Sequence, residues 1–206
     1  MNKQTFEEKA DKQDKKEDIE WLRLWCEDTH SELPRVALIG DSITEQVFEG
    51  VKEALQGVAK VDFLATSYSI TSPIYTKMVK AFFEDSDYLV VYYNYGLHAF
   101  NVSVEEYEKV YRALVSEFLK KSKVLLGTTT DVQTQHAERT MKMVNERNAC
   151  VERIAKDFHL IVDNSYGISV EMGASGKTED GVHFNAMGKK RLAEHKAEFI
   201  KNLLTL

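Results

Sequence analysis

The chain has 206 residues, a length that fits one domain with a full hydrophobic core. Its formal net charge of −6 argues against a nucleic-acid-binding protein, which would present a basic face to the phosphates. No apolar run approaches the roughly 20 residues that cross a bilayer, so no membrane span is expected. The N-terminus also lacks the apolar segment of a secretory signal, so the sequence predicts a cytoplasmic protein.

The first segment, residues 1–33, is predicted to form a helical arm that packs on the rest of the chain. Its first half is rich in Lys, Asp and Glu and almost free of large apolar side chains, which is typical of a solvated segment. In its second half apolar side chains recur at helical spacing, at Ile19, Leu22, Trp25 and Cys26. Residues 34–206 are predicted to form a single domain.

That domain alternates between short apolar runs and amphipathic stretches. The apolar runs are typical of buried parallel strands and cover residues 36–39, 61–65, 88–93, 124–126 and 160–162. The stretches between them have helical spacing, and one opens with a capping box at Ser103 and Glu106. This alternation predicts a five-stranded parallel sheet with helices on both faces. Ligands bind such folds beyond the carboxyl ends of the strands, so the functional residues should directly follow the strands.

Two short motifs lie near the two ends of this predicted domain. A Gly-Asp-Ser sequence ending at Ser42 follows the first strand, where the N-terminus of a helix favours a negative oxygen. An Asp-Xaa-Xaa-His sequence, Asp180 to His183, precedes the last helix. Taken singly, the first could be only a capping turn and the second only a loop with an ion pair. A serine hydroxyl becomes a good nucleophile only with a base that an acid orients, which the second motif could supply.

Together the motifs resemble those of the SGNH (GDSL-type) hydrolases. The likeness includes Gly-Asp-Ser at 40–42, Asp-Gly-Val-His-Phe-Asn at 180–185 and the order of the elements between them. It implies a flavodoxin-like three-layer α/β/α sandwich and hydrolysis of an ester or thioester without a metal or organic cofactor. By this resemblance Ser42 is the nucleophile, His183 is the general base and then the acid, and Asp180 is the orienting carboxylate.

The second motif of the family normally offers the N–H of a glycine to the oxyanion. Here the loop after the second predicted strand contains no glycine and reads Thr-Ser-Tyr-Ser-Ile-Thr-Ser-Pro at 66–73. Any residue's N–H can donate a hydrogen bond, so Ser67 or Ser69 could replace the glycine. We favour Ser69, together with the N–H of Ser42 itself.

The third motif normally reads Gly-Xaa-Asn after the third strand, with the asparagine donating to the oxyanion. This chain has Asn-Tyr-Gly-Leu-His at 94–98, similar to a subgroup of the family with Asn-Xaa-Gly-Leu-His in this place. The length of the strand favours Asn94 as the donor, whereas alignment on Gly96 favours His98. An amide donates at any pH, while a histidine donates reliably only when its tautomer is fixed. We therefore favour Asn94 and keep His98 as the alternative.

The resemblance predicts a serine esterase that forms an acyl-enzyme on Ser42. We expect a small-molecule ester with a short acyl group, and an acetylated sugar is a candidate because aromatic side chains cluster at the predicted strand ends. The altered oxyanion motifs would suit an idle protein that only binds a glycan or acyl ligand, but the complete Ser42, Asp180 and His183 set argues against it. A nucleotide-binding module would need a glycine-rich phosphate loop, which is missing. The acyl and alcohol specificity and the oligomeric state stay open.

Overall fold

The computed structural model describes residues 4–9, 19–27, 30–98, 102–133 and 140–205. The strands within these ranges are β1 (Gln4–Lys9), β2 (Ile19–Trp25), β3 (Arg35–Gly40), β4 (Lys60–Thr66), β5 (Tyr88–Asn94), β6 (Lys123–Gly127) and β7 (Ile161–Asp163). The helices are α1 (Ser42–Ala54), α2 (Pro73–Glu84), α3 (Val104–Phe118), α4 (Met141–Phe158), α5 (Ser165–Met172) and α6 (Ala186–Thr205). A short 3₁₀ helix, Gly173–Gly176, follows α5.

The strands form one sheet in the order β1-β2-β4-β3-β5-β6-β7. The last five strands of the chain run parallel and coincide with the five predicted runs, and β3 pairs with β4 on one side and β5 on the other. The parallel order β4-β3-β5-β6-β7 is that of the flavodoxin-like doubly wound fold. The predicted parallel sheet is therefore confirmed.

Helices cover both faces of this sheet, because side chains alternate along each parallel strand. In β3, Val36 and Leu38 join the apolar cluster beneath α1 and α6. Their neighbours Ala37 and Ile39 join the opposite cluster, beneath α2, α3 and α4. The result is the three-layer α/β/α sandwich that the family resemblance implies, with all four side chains at most 1% exposed.

The prediction of a helical arm over residues 1–33 is wrong for the part that is described. β1 and β2 pair with each other in antiparallel fashion, and β2 also pairs with β4, so this segment extends the sheet. Its apolar side chains alternate with a period of two: Leu22 and Leu24 pack on one apolar cluster, and Trp21 and Trp25 on the other. A helical pattern can be traced through the same residues, but a helix would leave the edge of β4 unpaired, whereas β2 pairs with it and packs side chains on both faces of the sheet.

Within the described ranges, no helix is both long enough and apolar enough to cross a membrane. The fold instead places four chain segments of interest at one end of the sheet, beyond the carboxyl ends of the parallel strands. These are the start of α1 after β3, the loops after β4 and β5, and the loop before α6.

Candidate active site

Ser42 is the first residue of α1 and directly follows the turn after β3. Its neighbour Asp41 caps the helix, accepting a hydrogen bond from the N–H of Ile43 at 3.0 Å. The second carboxylate oxygen of Asp41 accepts from the N–H groups of Gly96 at 3.3 Å and Leu97 at 3.2 Å. The 1% exposed side chain of Asp41 thus ties the start of the helix to the loop after β5.

The presence of a glycine at position 40, at the end of β3, has a steric explanation. A Cβ atom on Gly40 would lie 2.4 Å from the carbonyl oxygen of Asn94 and 2.0 Å from the hydroxyl of Thr44. Neither distance is tolerable, and the first involves backbone, so only glycine allows β3 and β5 to approach each other here. This close approach brings Ser42 to the same edge of the sheet as the end of β5.

The side chains of Ser42, His183 and Asp180 form a continuous chain of contacts. The Ser42 Oγ lies 3.0 Å from Nε2 of His183. Nδ1 of the same ring lies 2.5 Å from Oδ2 of Asp180. With its proton on Nδ1, the imidazole presents an unprotonated Nε2 to the serine hydroxyl, which is the arrangement a general base needs.

Asp180 is held by the backbone of its own turn. Its Oδ1 accepts the N–H groups of Val182 and His183, both at 2.9 Å, and the hydroxyl of Thr178 at 2.8 Å. Partial burial raises the pKa of Asp180, but these donors outweigh it and hold the pKa below its usual range, so the group is a carboxylate at neutral pH. Gly181 has φ 68°, a left-handed conformation that explains why a glycine stands there.

Hydrogen bonding distinguishes the two serines of the loop after β4 that could donate to the oxyanion. The N–H of Ser67 donates to the carbonyl of Trp21 at 3.2 Å, and its hydroxyl donates to Glu20 at 2.6 Å. The N–H of Ser69 has no acceptor within the described part of the chain. The N–H of Ser42 is at the first position of α1, where a helix supplies no acceptor. These two N–H groups are free to receive an oxyanion, although the pairing remains a prediction.

The two candidates for the third donor lie in different surroundings. The amide of Asn94 is buried and donates one hydrogen bond to the carbonyl of Gly127 at 2.8 Å, which leaves its second N–H. The ring of His98 is 6% exposed and stands edge-on to Trp21, with 6.0 Å between ring centroids. Among the described residues, neither side chain hydrogen-bonds to Ser42, so this choice stays a prediction.

Thr178, Glu20 and Trp21 also contact the site or its loops, although no motif in the sequence marks them. Glu20 gives no signal of its own in the sequence, because its partner Ser67 is 47 positions further along the chain. In the part of the chain that is described, no cluster of three or more His, Cys, Asp or Glu side chains could hold a metal ion.

No family model matches this sequence, and no curated protein matches it. Among solved structures, an acetyl xylan esterase, AlAXEase, is similar at 19% identity and a TM-score of 0.69, covering 81% of this chain and 99% of that one. A lipase/acylhydrolase from Enterococcus faecalis is similar at 17% identity and a TM-score of 0.67, covering 82% of this chain and 96% of that one.

A protein from Slackia heliotrinireducens, named as a candidate SGNH hydrolase, is similar at 15% identity and a TM-score of 0.67. The matched region covers 82% of this chain and 100% of that one. Identities this low establish the fold alone. The chain has the fold of the SGNH hydrolases, as its motifs imply.

Proposed function

We propose that this chain is a carboxylic ester hydrolase that works through an acyl-enzyme on Ser42. The observation that carries the proposal is the unbroken contact from the Ser42 hydroxyl through His183 to the Asp180 carboxylate. Such a chain supplies what a weak hydroxyl nucleophile lacks, namely a base and a group that orients the base. The half-buried serine and histidine leave the hydroxyl open to a substrate.

The reaction follows from these positions. The Ser42 oxygen attacks the ester carbonyl while His183 takes its proton and Asp180 stabilises the imidazolium. The carbonyl oxygen becomes an oxyanion and receives the N–H groups of Ser42 and Ser69, with Asn94 as the third donor. His183 then gives the proton to the departing alcohol, leaving the acyl group on the serine. A water molecule repeats the sequence, releases the acid and restores the hydroxyl.

A short acyl ester, with an acetylated sugar as a candidate, is the proposed substrate. Its support is the likeness to acetyl xylan esterases rather than the aromatic side chains at the strand ends. Those residues are at most 1% exposed and belong to the core, so they cannot stack on a sugar: Tyr68, Tyr75, Tyr92, Tyr93 and Tyr95. A sugar-stacking platform is therefore wrong for Tyr68, Tyr75 and Tyr95, whereas core packing is what the alternation along β5 favours for Tyr92 and Tyr93.

The proposal is tested with p-nitrophenyl acetate, butyrate and octanoate beside acetylated xylo-oligosaccharides. We expect the highest kcat/KM on acetyl esters and a steep fall at octanoate, with Ser42→Ala inactive throughout. A fluorophosphonate should label the peptide that contains Ser42 and no other. Specific binding of the sugars without hydrolysis would instead identify an idle binding protein.

A second experiment ranks the oxyanion donors. Charge develops on the carbonyl oxygen only in the transition state, so loss of a donor should lower kcat much more than it raises KM. We expect Asn94→Ala to lower kcat by about 10²- to 10³-fold with KM nearly unchanged, and His98→Ala to cost less. Thermal unfolding of both variants separates this effect from the lost hydrogen bond to Gly127. The reverse ranking would identify His98 as the donor.

A further inference from the structure

A buried cation lies behind the acid–base pair and takes no part in the proposed reaction. Lys177 begins the hairpin that carries Asp180 and His183, and its side chain is only 2% exposed. The backbone of Lys177 pairs with that of Phe184 in an antiparallel bridge, which closes the base of the hairpin. Residues 177–184 are called the acid–base hairpin below.

The ammonium of Lys177 joins this hairpin to the loop after β6. Its Nζ donates to the carbonyl oxygen of Asp131 at 2.7 Å and to that of Val182 at 3.2 Å. It also lies 3.1 Å from Oδ1 of Asp131, an ion pair without hydrogen-bond geometry. On its other side it stands 3.8 Å from the centre of the Phe184 ring. These contacts enclose the ammonium, consistent with the 2% exposure of the side chain.

The anchor for this cation is itself held in place. The N–H of Asp131 donates to the hydroxyl of Ser169 at 2.9 Å, and its Oδ2 accepts from the side-chain amide of Gln133 at 3.0 Å. The N–H of Gln133 in turn donates to the carbonyl of Gly181 at 2.7 Å. The loop after β6 thus contacts the acid–base hairpin at two points. One is the backbone hydrogen bond from Gln133 to Gly181, and the other is the charged contact between Asp131 and Lys177.

One peptide group connects Lys177 directly with the triad. The carbonyl of Val182 and the N–H of His183 belong to the same peptide plane. The carbonyl accepts from Lys177, and the N–H donates to Oδ1 of Asp180 at 2.9 Å. A cation on the carbonyl side fixes the plane and strengthens the donor on the other side, since hydrogen bonds in series polarise one another. Burial lowers the pKa of Lys177 below its usual value, and the neighbouring Asp131 carboxylate opposes that shift.

We propose that Lys177 is a positioning residue, which holds the peptide 182–183 so that Asp180 and His183 stay aligned on Ser42. The inference rests on the proposed esterase function for its kinetic consequences. It adds that the acid–base pair depends on a buried ion pair with Asp131, outside the motifs that resemble the family.

The kinetic test compares Lys177→Met with wild type. A displacement of about 1 Å in a reacting group can cost about 10²-fold in rate, so we expect kcat to fall by about that factor while KM changes little. In Asp180→Ala the same substitution should cost much less, because Lys177 acts through Asp180. Undiminished loss in that background, or full kcat in Lys177→Met, would overturn the proposal.

Two further variants separate positioning from stability. Asp131→Asn combined with Lys177→Met leaves no unpaired buried charge, so it should regain thermal stability but not kcat. Arg35→Met is the matched control, because Arg35 also forms an ion pair with a buried carboxylate, that of Asp62 at 2.7 Å. Arg35 lies at the start of β3, at the end of the sheet opposite the triad. It should lower stability and leave the kcat of the folded enzyme unchanged. Recovery of kcat together with stability in the double variant would reduce Lys177 to a structural role.

A readout without activity distinguishes this inference from the proposed function. The ¹⁵N shifts of the His183 ring report which nitrogen carries the proton, and wild type should show it on Nδ1, facing Asp180. Lys177→Met should give a mixture of both tautomers, and Arg35→Met the wild-type pattern. If wild type hydrolyses no ester but this difference is found, the function fails and the positioning role stands. An unchanged tautomer in Lys177→Met overturns the positioning role whether or not the enzyme is active.

Discussion

Replacing Ser42 with Ala, or His183 with Ala, is expected to lower kcat by about 10⁴- to 10⁶-fold on the best acetyl ester. The hydroxyl lies 3.0 Å from Nε2 of the histidine, so removing either side chain removes the activated nucleophile. Because the two act as one unit, the double variant should be scarcely slower than either single variant. Asp180→Ala should lose less, since the imidazole can still accept a proton when poorly oriented.

Single-turnover and steady-state rates on p-nitrophenyl acetate measure these losses. Ser116→Ala is a suitable control, because Ser116 is exposed on α3 and its hydroxyl donates to the carbonyl of Arg112, within its own helix. It should keep wild-type kcat. Losses that simply multiply in the double variant would show that Ser42 and His183 act independently, which contradicts the triad.

The parallel core of the fold could be predicted because its strands are covered on both faces. Most of them therefore read as apolar runs, unbroken over residues 36–39 of β3 and 88–93 of β5. The short helix α5 has no apolar stripe and depends on local bonds, such as the N–H of Gly167 to the side chain of Asn164 at 2.9 Å. The N-terminal strands depend on the edge of β4, whose residues lie 38–44 positions further along the chain than their partners in β2, and spacing within the segment cannot reveal this pairing.

The same distinction separates the parts of the site. Asp180 and His183 form a local motif, three residues apart in one turn, so the pattern of residue types is enough to propose them. The hydrogen bond from Ser67 to Glu20, which holds the loop after β4, is not local, because the two residues meet only across β2 and β4. Likewise Lys177 resembles any loop lysine in the sequence, and its role depends on a loop 46 positions earlier.

Disruption of a buried ion pair between the end of β7 and α6 is expected to have the largest effect on stability. Asp163, at the end of β7, is 0% exposed and Lys196, on α6, is 1% exposed. Their charged atoms lie 3.3 Å apart, and the ammonium also donates to the hydroxyl of Ser165 at 2.5 Å and to that of Tyr92. The Tyr92 hydroxyl donates to Oδ2 of Asp163 at 2.6 Å, the oxygen that the ammonium also contacts, and Oδ1 lies 2.8 Å from Nε2 of His195.

Lys196→Met should therefore lower the free energy of unfolding by about 3–5 kcal/mol, because it leaves a buried carboxylate without its cation. That is a large share of the roughly 5–15 kcal/mol that stabilises a typical domain. Urea unfolding monitored by circular dichroism measures it. Lys190→Met is the matched control on the same helix, since Lys190 is exposed and its Glu194 partner is 3.9 Å away; it should change stability by less than about 1 kcal/mol.

The same pair predicts how stability depends on pH. Burial raises the pKa of Asp163, but Lys196, His195 and Tyr92 outweigh it and hold the pKa well below its usual range. A carboxyl whose pKa is lower in the folded state contributes its stabilisation above the unfolded value of about 3.9 and loses it as the pH falls through the folded value. Wild type should therefore lose stability steadily below about pH 4.

Asp163→Asn combined with Lys196→Met removes both charges, so the unfolding free energy of this double variant should fall less steeply below about pH 4. At neutral pH its unfolding free energy should exceed that of Lys196→Met. Equal acid sensitivity in wild type and the double variant would mean that other carboxylates control the acid limb, and that the buried pair contributes little to it.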